Sequence, residues 1–312
     1  MSQHALVTGG NGFLGGIIAA QLQQSGYTVT NLSRHPSSQA AINLSVDLAQ
    51  PFQLPDQRYD LVIHAAGKAH SVPKNEEEAQ VFYQVNREGT QHLLDALSQH
   101  AGKLPEAFVF ISTVAVFGKD KGEHLPEDAP LAAQDPYGLS KIAAEEMVRT
   151  WSRQHQVPAT ILRLPLIAGP EAPGNLGAMV QGIKKGRFFQ LAEGKARRSV
   201  VLAQDVAEAI PVAAKFPGTY TLTDGQHPSF AELAKVITEV RQYKPPRSLP
   251  GVVGMGAGLA GSTLETALRR RMPFSWKTYR KMTQTLTFDD ALARKTWDWA
   301  PKSVTQHPEF WL

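Results

Sequence analysis

Apolar runs alternate with segments of helical period through the first half of the chain. The runs predict strands, and they are Ala5–Val7, Thr28–Leu32, Ala41–Val46, Leu61–His64, Ala107–Ser112 and Ala159–Leu164. Apolar residues at spacings of three and four predict helices over Gly16–Ser25, Glu76–Gln99 and Leu139–Gln154. Strands that are apolar throughout are typical of a sheet covered on both faces. This alternation predicts an α/β fold built on a doubly wound parallel sheet.

The pattern changes after Leu164, where five prolines and glycines fall within ten residues, from Pro165 to Gly174. Further elements are then predicted as a helix at Leu176–Lys185, a strand at Arg198–Leu202, a helix at Asp205–Ala214, a strand at Gly218–Leu222 and a helix at Ser229–Val240. We expect a dinucleotide-binding domain made of residues 1–165 and 199–224. We expect residues 166–198 and 225–312 to form a smaller, mainly C-terminal substrate-binding lobe.

A glycine-rich turn joins the first predicted strand to the first predicted helix. Gly9, Gly12 and Gly15 punctuate the sequence Thr8–Gly15. Glycines at such a junction allow a tight turn, close approach of the backbone to a pyrophosphate, and close packing of helix on strand. The free N–H groups at the helix start then face an anion. The turn predicts a Rossmann dinucleotide site.

The residues that follow the next three predicted strands are candidates for binding the dinucleotide. No carboxylate stands at the end of the second strand to bind a ribose 2′-hydroxyl, whereas Ser33 and Arg34 do stand there. The planar guanidinium of Arg suits a 2′-phosphate, so NADP is favoured over NAD, although Arg34 as a solvated surface residue is the alternative. Asp47 either accepts from the adenine amino group or caps a turn. The small residues Ala65–Gly67 let a flat ligand lie against the backbone.

Composition narrows the classes of function. The chain has 312 residues, 42% of them hydrophobic, and a net charge of +4; it contains no cysteine, which excludes disulfides and zinc–thiolate sites. No metal site is predicted. Basic residues are scattered apart from Lys195–Arg198 and Arg269–Arg271, so no nucleic-acid partner is expected. The first strand leaves no room for a signal peptide, and the longest weakly polar run, Leu249–Ala260, is shorter than the ~20 residues that span a bilayer. We expect a cytoplasmic protein without membrane insertion.

Two later segments carry candidate chemistry. Ser112 and Thr113 end a central strand in hydroxyls, where open parallel sheets place their ligands. Tyr137 and Lys141 share one face of a helix at positions i and i+4. An ammonium beside a phenol lowers the pKa of the phenol, which predicts a proton exchange at Tyr137 while hydride moves to or from a nicotinamide.

Taken together, these motifs resemble the extended short-chain dehydrogenase/reductases of the NAD(P)-dependent nucleotide-sugar epimerase/dehydratase family. The similar segments are Thr8–Gly15, Asp47-Leu48, His64–Gly67, Val85-Asn86, Gly89-Thr90, Ser112–Gly118, Tyr137–Lys141, Leu162-Arg163 and Gly169-Pro170. The resemblance implies a catalytic triad of Thr113, Tyr137 and Lys141. The predicted cofactor site comprises Gly9, Gly12, Phe13, Leu14, Gly15, Ser33, Arg34, Asp47, Leu48, Ala65, Ala66, Gly67, Asn86, Tyr137, Lys141 and Pro165.

Later segments resemble a narrower group, the bacterial UDP-N-acetylhexosamine 4-epimerases and 4-ketoreductases of surface polysaccharide biosynthesis. This resemblance implies that Asn175 and Arg198 hold the substrate diphosphate and uridine; Ser71 and Thr113 complete the predicted substrate site. Phe117 stands where many relatives have a tyrosine. Val114 and Ala115 follow Thr113 where dehydratases have an acid pair, which argues against dehydration.

The leading expectation is an NADPH-dependent reductase of a UDP-4-keto-6-deoxy-N-acetylhexosamine. The alternative is a UDP-sugar 4-epimerase, which uses the same triad and returns the hydride to the opposite face. A hypothesis from another class of function is a regulator that binds NADP without catalysis. The presence of both Tyr137 and Lys141 argues against it. The resemblance also implies a homodimer paired through Glu76–Gln99 and Leu139–Gln154.

Overall fold

The computed structural model describes residues 3–69, 71–99, 104–268, 272 and 274–312. The strands in chain order are β1 His4–Thr8, β2 Thr28–Ser33, β3 Ile42–Ser45, β4 Leu61–His64, β5 Ala107–Thr113, β6 Gly122–Leu125, β7 Ala159–Leu164, β8 Leu166–Ala168, β9 Phe189–Leu191, β10 Val200–Leu202, β11 Gly218–Thr221, β12 Arg247–Leu249 and β13 Leu286–Phe288. The helices are α1 Phe13–Gln24, α2 Glu76–Phe82, α3 Gly89–Ser98, α4 Pro136–His155, α5 Gly174–Lys184, α6 Ala203–Ala213, α7 Phe230–Arg241, α8 Gly251–Leu268, α9 Trp276–Thr283 and α10 Ala291–Trp297.

Seven parallel strands form the central sheet in the order β11-β7-β5-β4-β1-β2-β3. This arrangement confirms the predicted doubly wound α/β fold. The strand order runs in opposite directions from β1, towards β2 on one side and β4 on the other. Ligands of such sheets bind in the crevice at the carboxyl ends of the strands where the order reverses. The turn after β1 and the loop after β4 both lie at this point.

The predicted helix Glu76–Gln99 is divided into three parts. A π-helical stretch, Tyr83–Glu88, separates α2 from α3. Asn75 begins α2, and its side chain accepts a hydrogen bond of 2.8 Å from the Glu78 amide. The wider turn of a π-helix re-aims the side chains within it, and such turns are frequent at functional sites. Here the stretch contains the predicted site residue Asn86.

Beside the central sheet, the described residues form three pairs of short parallel strands. β8 pairs with β10, β9 with β12, and β6 with β13. Because successive side chains of a strand point to opposite faces, β10 serves two cores. Val201 packs with the central-sheet residues, whereas Val200 and Leu202 pack with α5 and α7. The boundaries drawn between the two lobes from sequence stay a prediction, and the run Arg269–Arg271 lies outside the described residues.

Within the described ranges, none of the helices has the length and apolar character needed to cross a bilayer.

Candidate active site

One cavity of about 1710 Å³ extends from the glycine-rich turn to the second lobe. Every residue predicted from sequence to bind cofactor or substrate lines it except Asn86 and Ser71. Asn86 is buried behind the cavity wall, and Ser71 is exposed and does not line the cavity. The structure therefore brings the two predicted half-sites together in a single cavity.

The turn after β1 has no room for side chains at two of its glycines. A Cβ on Gly15 would lie 2.2 Å from the Gly9 carbonyl oxygen; Gly9 has a φ of +71°, and a Cβ on it would lie 2.9 Å from Ala66 Cα. Gly12 begins α1 without any side-chain cap, so the first amides of that helix keep free N–H groups. These amides and the positive end of the helix dipole form an anion site at the cavity floor.

A chain of buried hydrogen bonds joins this turn to the loop after β4. The Thr90 hydroxyl donates to the Asn86 carbonyl at 2.6 Å, so it must accept from His64 Nε2, 2.9 Å away. His64 Nδ1 then accepts from the Thr8 hydroxyl at 2.7 Å, and Thr8 accepts from the Ala66 amide at 3.1 Å. Burial lowers the pKa of His64 to about 3, so the ring stays neutral and the directions of the bonds are fixed.

Asn86 supports the cavity wall from behind. Its side chain accepts from the Lys68 amide at 2.7 Å, and donates to the Lys68 carbonyl and to the Ser140 hydroxyl, both at 3.0 Å. Gly67 passes so close that a Cβ there would lie 3.1 Å from Asn86 Oδ1. The predicted role beside the cofactor thus becomes one of positioning the Ala65–Gly67 loop against α4.

The end of β2 presents an unpaired cation to the cavity. Arg34 is exposed, and its guanidinium makes no hydrogen bond or ion pair with any of the described residues. Ser33 is turned inward, with its hydroxyl donating to the His35 carbonyl at 2.6 Å. Asp47 accepts from the Ala49 amide at 3.0 Å, which shows the turn cap that the sequence left as one of two alternatives.

Helix α4 begins immediately before the predicted acid–base pair. Asp135 caps it by accepting from the Gly138 amide at 3.1 Å, and Pro136 occupies the first turn. Tyr137 and Lys141 consequently stand one turn apart on the same face. Burial raises the pKa of the Tyr137 phenol, a hydrogen bond with Thr113 offsets part of that rise, and the charge of Asp135 adds to it.

Lys141 is buried and held by the strand that carries Thr113. Its Nζ donates to the Ile111 carbonyl at 2.7 Å and lies 3.9 Å from the centre of the Phe110 ring. Burial lowers the pKa of Lys141 to about 7, and the charge of Glu145 limits the fall. The predicted lowering of the Tyr137 pKa is therefore wrong in this structure: burial raises that pKa by more than the Thr113 hydrogen bond lowers it, and the Lys141 ammonium is directed to a backbone carbonyl.

A buried ion pair beneath this pair of residues was not anticipated. Glu145, one turn beyond Lys141, forms a two-point contact with Arg163 of β7, at 3.0 and 2.7 Å. Its Oε1 also accepts from the Ser112 hydroxyl at 2.6 Å. These partners lower the pKa of Glu145 despite its burial. The network ties α4, β5 and β7 together just below the triad; its sequence signal was the spacing of Glu145 from Lys141.

The residues predicted to hold the diphosphate differ in availability. Asn175, in the first turn of α5, is exposed to the cavity. Arg198 lines the cavity too, but its guanidinium donates to the carbonyls of Arg197, Lys281 and Gln284 and lies 5.2 Å from the centre of the Phe230 ring. Burial lowers the pKa of Arg198 to about 10, so it remains a cation at neutral pH. Much of its donor capacity anchors the end of α9.

Several cations that line the cavity were not predicted from the sequence. Lys277 and Lys281 stand one turn apart on α9, and both are exposed and line the cavity. Neither ammonium is paired within the part of the chain that the structure describes. Arg187, just after α5, lines the same region. Only the i and i+4 spacing of the lysines could have indicated them, in a stretch that sequence analysis left without assigned elements.

These features fit a bound dinucleotide and a second anionic ligand. The free amides in the first turn of α1, after Gly12, suit the pyrophosphate. The close approach of Gly9 to Ala66 keeps side chains away from the neighbouring backbone, and Tyr137 and Lys141 line the same cavity. The lysines of α9 form a separate basic region for phosphate groups of a substrate.

The chain is similar to known enzymes that act on sugars linked to a diphosphate. The chain is 27% identical over 276 residues to the UDP-glucose 4-epimerase of Vibrio cholerae, covering 80% of this chain and 79% of the relative. It is 25% identical over 318 residues to the N-acetyl-α-D-glucosaminyl-diphospho-ditrans,octacis-undecaprenol 4-epimerase of Escherichia coli O157:H7, covering 98% and 93%.

Among solved structures, the fold matches the UDP-glucuronic acid 4-epimerase of Bacillus cereus in complex with UDP-glucuronic acid and NAD, with a TM-score of 0.75, 17% identity, and coverage of 99% of this chain and 97% of that one. The family model described as the NAD dependent epimerase/dehydratase family matches residues 5–221, more than half of the chain. The protein belongs to the NAD-dependent epimerase/dehydratase family.

Proposed function

We propose that the protein is a 4-epimerase of a sugar joined through diphosphate to its carrier, of the UDP-sugar type. The observation that carries this proposal is the single cavity, which is lined by the glycine turn, by Thr113, Tyr137 and Lys141, and by Lys277 and Lys281. The two relatives described above are 4-epimerases of diphosphate-linked sugars, which supports the same reading.

The residues of the triad divide the chemistry at C4. When bound, the nicotinamide supplies a site that takes up a hydride and gives it back. Tyr137 holds the proton that is exchanged with the C4 oxygen, and the Thr113 hydroxyl orients that oxygen. Lys141, with a pKa of about 7, is partly protonated at neutral pH and places its charge beside the reacting groups.

A 4-ketoreductase that consumes NADPH is the second candidate, and Arg34 is the observation that favours it. Its unpaired guanidinium at the end of β2 suits a 2′-phosphate, as in NADP. A reductase must exchange its dinucleotide at every turnover, whereas an epimerase regenerates its dinucleotide and can keep it bound. The structural neighbour named above contains NAD.

One experiment separates the two reactions. The purified protein is incubated with UDP-GlcNAc and UDP-glucose without added nucleotide, and separately with the 4-keto-6-deoxy derivative and NADPH. We expect 4-epimers of the UDP-sugars, and NAD released from the protein by acid. Oxidation of NADPH on the keto sugar alone would establish the reductase, and no product in any mixture would contradict both.

The variant Tyr137→Phe is the control. It keeps the ring that packs 6.1 Å from Phe82 and removes only the hydroxyl. We expect turnover to fall by at least about 100-fold, the scale of a lost proton-transfer group, with dinucleotide binding unchanged. Turnover that survives would exclude Tyr137 as the proton donor.

A further inference from the structure

Helix α8 exposes its large apolar side chains, whereas an ordinary surface helix buries them. The residues that it buries are glycines, Gly254, Gly258 and Gly261. Its large apolar side chains are exposed: Val252 by 70%, Val253 by 52%, Met255 by 41%, Leu259 by 50% and Leu264 by 44%. At 3.6 residues per turn, the exposed positions cover an arc of about 200°. An apolar face of this width is unusual on a protein surrounded only by water.

The glycines are required by the packing on the inner side. A Cβ on Gly261 would lie 1.9 Å from the Phe274 carbonyl oxygen, and one on Gly258 would lie 3.1 Å from Tyr279 Cβ. The inner face of α8 is thus closed against the segment that leads into α9. The outward direction of the apolar side chains is fixed by this contact, because rotation of the helix would drive side chains into the backbone.

The exposed face continues into the mouth of the cavity. Val253 and Ala257 of α8 line the cavity as well as facing outward. Phe189 of β9, 41% exposed, lines it too. The exposed part of the cavity lining is therefore apolar at Val253, Ala257 and Phe189 and basic at Lys277 and Lys281.

The distribution of charge around this face indicates what kind of surface covers it. No charged residue occurs from Gly251 to Leu264, so this stretch of the helix itself offers a partner protein no ion pair. The described cations nearest this face are Lys277 and Lys281 of α9, which line the cavity together with Val253 and Ala257. In the sequence, the basic run Arg269–Arg271 follows the helix. A broad apolar face bordered by cations is the pattern of a helix that lies in the interface of an anionic bilayer.

We infer that α8 lays the mouth of the cavity on an anionic membrane surface, where the sugar diphosphate is presented on a polyisoprenol carrier. The part that concerns the carrier rests on the proposed function. The diphosphate lies at Lys277 and Lys281, and the first isoprene units leave over Val253, Ala257 and Phe189. A helix of this kind lies in the plane of the interface and does not span it.

The test measures binding to vesicles. The protein is sedimented with vesicles of phosphatidylcholine and phosphatidylglycerol at 3:1, and with vesicles of phosphatidylcholine alone. The test variant combines Val252→Ser, Met255→Ser, Leu259→Ser and Leu264→Ser, none of which lines the cavity. The control combines Val212→Ser and Val240→Ser, apolar residues of α6 and α7 that are exposed by 43% and 46%.

We expect the wild type and the control to bind the anionic vesicles, less at high salt, and the test variant to bind at least about tenfold more weakly. Turnover of a soluble UDP-sugar should be equal in all three proteins. Turnover of GlcNAc-diphospho-undecaprenol in the same vesicles should fall with binding.

Absence of vesicle binding by the wild type, or equal binding by all three proteins, would overturn the inference. If light scattering instead shows that the test variant turns a dimer into a monomer, and the wild type ignores vesicles, α8 is a contact between copies of the chain. Vesicle binding that depends on α8, without turnover of any sugar, would leave the docking intact and reject the proposed function.

Discussion

Two glycine-rich helices border the same cavity and use their glycines in opposite ways. In α1 the glycines lie in the first turn and the turn before it, while Leu14, Ile18 and Leu22 are buried against the sheet. In α8 the glycines supply the buried face, and the valines and leucines point outward. Both helices are apolar in composition, so composition does not decide which side of a helix is buried. The positions of the glycines do.

The difference separates two ways of fixing a helix. Burial of each large apolar side chain contributes about 1.5–3 kcal/mol, so α1 is held in place by hydrophobic burial. A buried glycine has no side chain to contribute, and its benefit is close approach of the backbone. Helix α1 therefore gives the dinucleotide end a rigid anion site, whereas α8 keeps its apolar area for a surface outside the chain.

The glycine turn of α1 offers the largest test of this contrast. Gly15→Ala would place a Cβ 2.2 Å from the Gly9 carbonyl oxygen, so the turn must open and the amides of the anion site must move. We expect kcat/KM to fall by at least about 100-fold, the cost of displacing a bound group by about 1 Å. Steady-state kinetics and dinucleotide titration measure it.

Gly16→Ala is the matched control for Gly15→Ala. Its Cβ meets only the Gly10 carbonyl oxygen at 3.4 Å, an ordinary contact. This variant should retain activity within about twofold, since alanine also favours the helix. Equal losses in the two variants would mean that the turn tolerates no change at all and that crowding at Gly9 is not the cause.

Removal of one apolar side chain from each helix compares burial directly. Ile18→Ala deletes a side chain with no exposed surface and should lower the free energy of unfolding by about 2–5 kcal/mol. Leu259→Ala deletes a side chain that is 50% exposed and should change that free energy by no more than about 0.5 kcal/mol. Urea denaturation of both variants measures the difference. A large loss for Leu259→Ala would show that its face is already covered.

The parts that sequence predicted well depend on local rules. Glycine spacing before α1, and the i and i+4 spacing of Tyr137 and Lys141, are constraints within one turn or one helix, and the structure has both. The parallel, doubly wound sheet followed from the alternation of strands and helices, whereas the order of its strands became known only from the structure. Local spacing cannot give the pKa of Tyr137, because burial by distant elements sets its direction.

The parts that sequence missed depend on contacts between distant segments. Residues 249–260 read as a weakly polar run broken by glycines, because the buried face of α8 contains no side chain to mark it. Lys277 and Lys281 line the cavity because α9 packs beside that helix, and the sequence does not show this packing. Asn86 was placed in the correct region, but its π-helical turn directs it behind the wall to Lys68 and Ser140.

A substitution on the buried face of α8 should have an intermediate effect. The Cβ of Gly261→Ala would lie 1.9 Å from the Phe274 carbonyl oxygen, so helix and backbone must separate. Overpacking of this kind costs about 1–3 kcal/mol of stability. Thermal unfolding measures the loss, and turnover of a soluble sugar should fall less than in Gly15→Ala because the triad lies on other elements. A neutral result would mean that α8 is not closed against Phe274.

The smallest effect is expected at Gly256, on the outward face of the same helix. No described atom lies within 4 Å of a Cβ built there, so Gly256→Ala should raise the free energy of unfolding by about 1 kcal/mol through helix propensity alone. The pair Gly256→Ala and Gly261→Ala thus differ in sign although both place the same methyl group on one helix. Denaturant titration at several protein concentrations checks it. Destabilisation that grows with concentration would reveal a second copy of the chain packed on this face, whereas stabilisation at every concentration leaves the face free for the membrane.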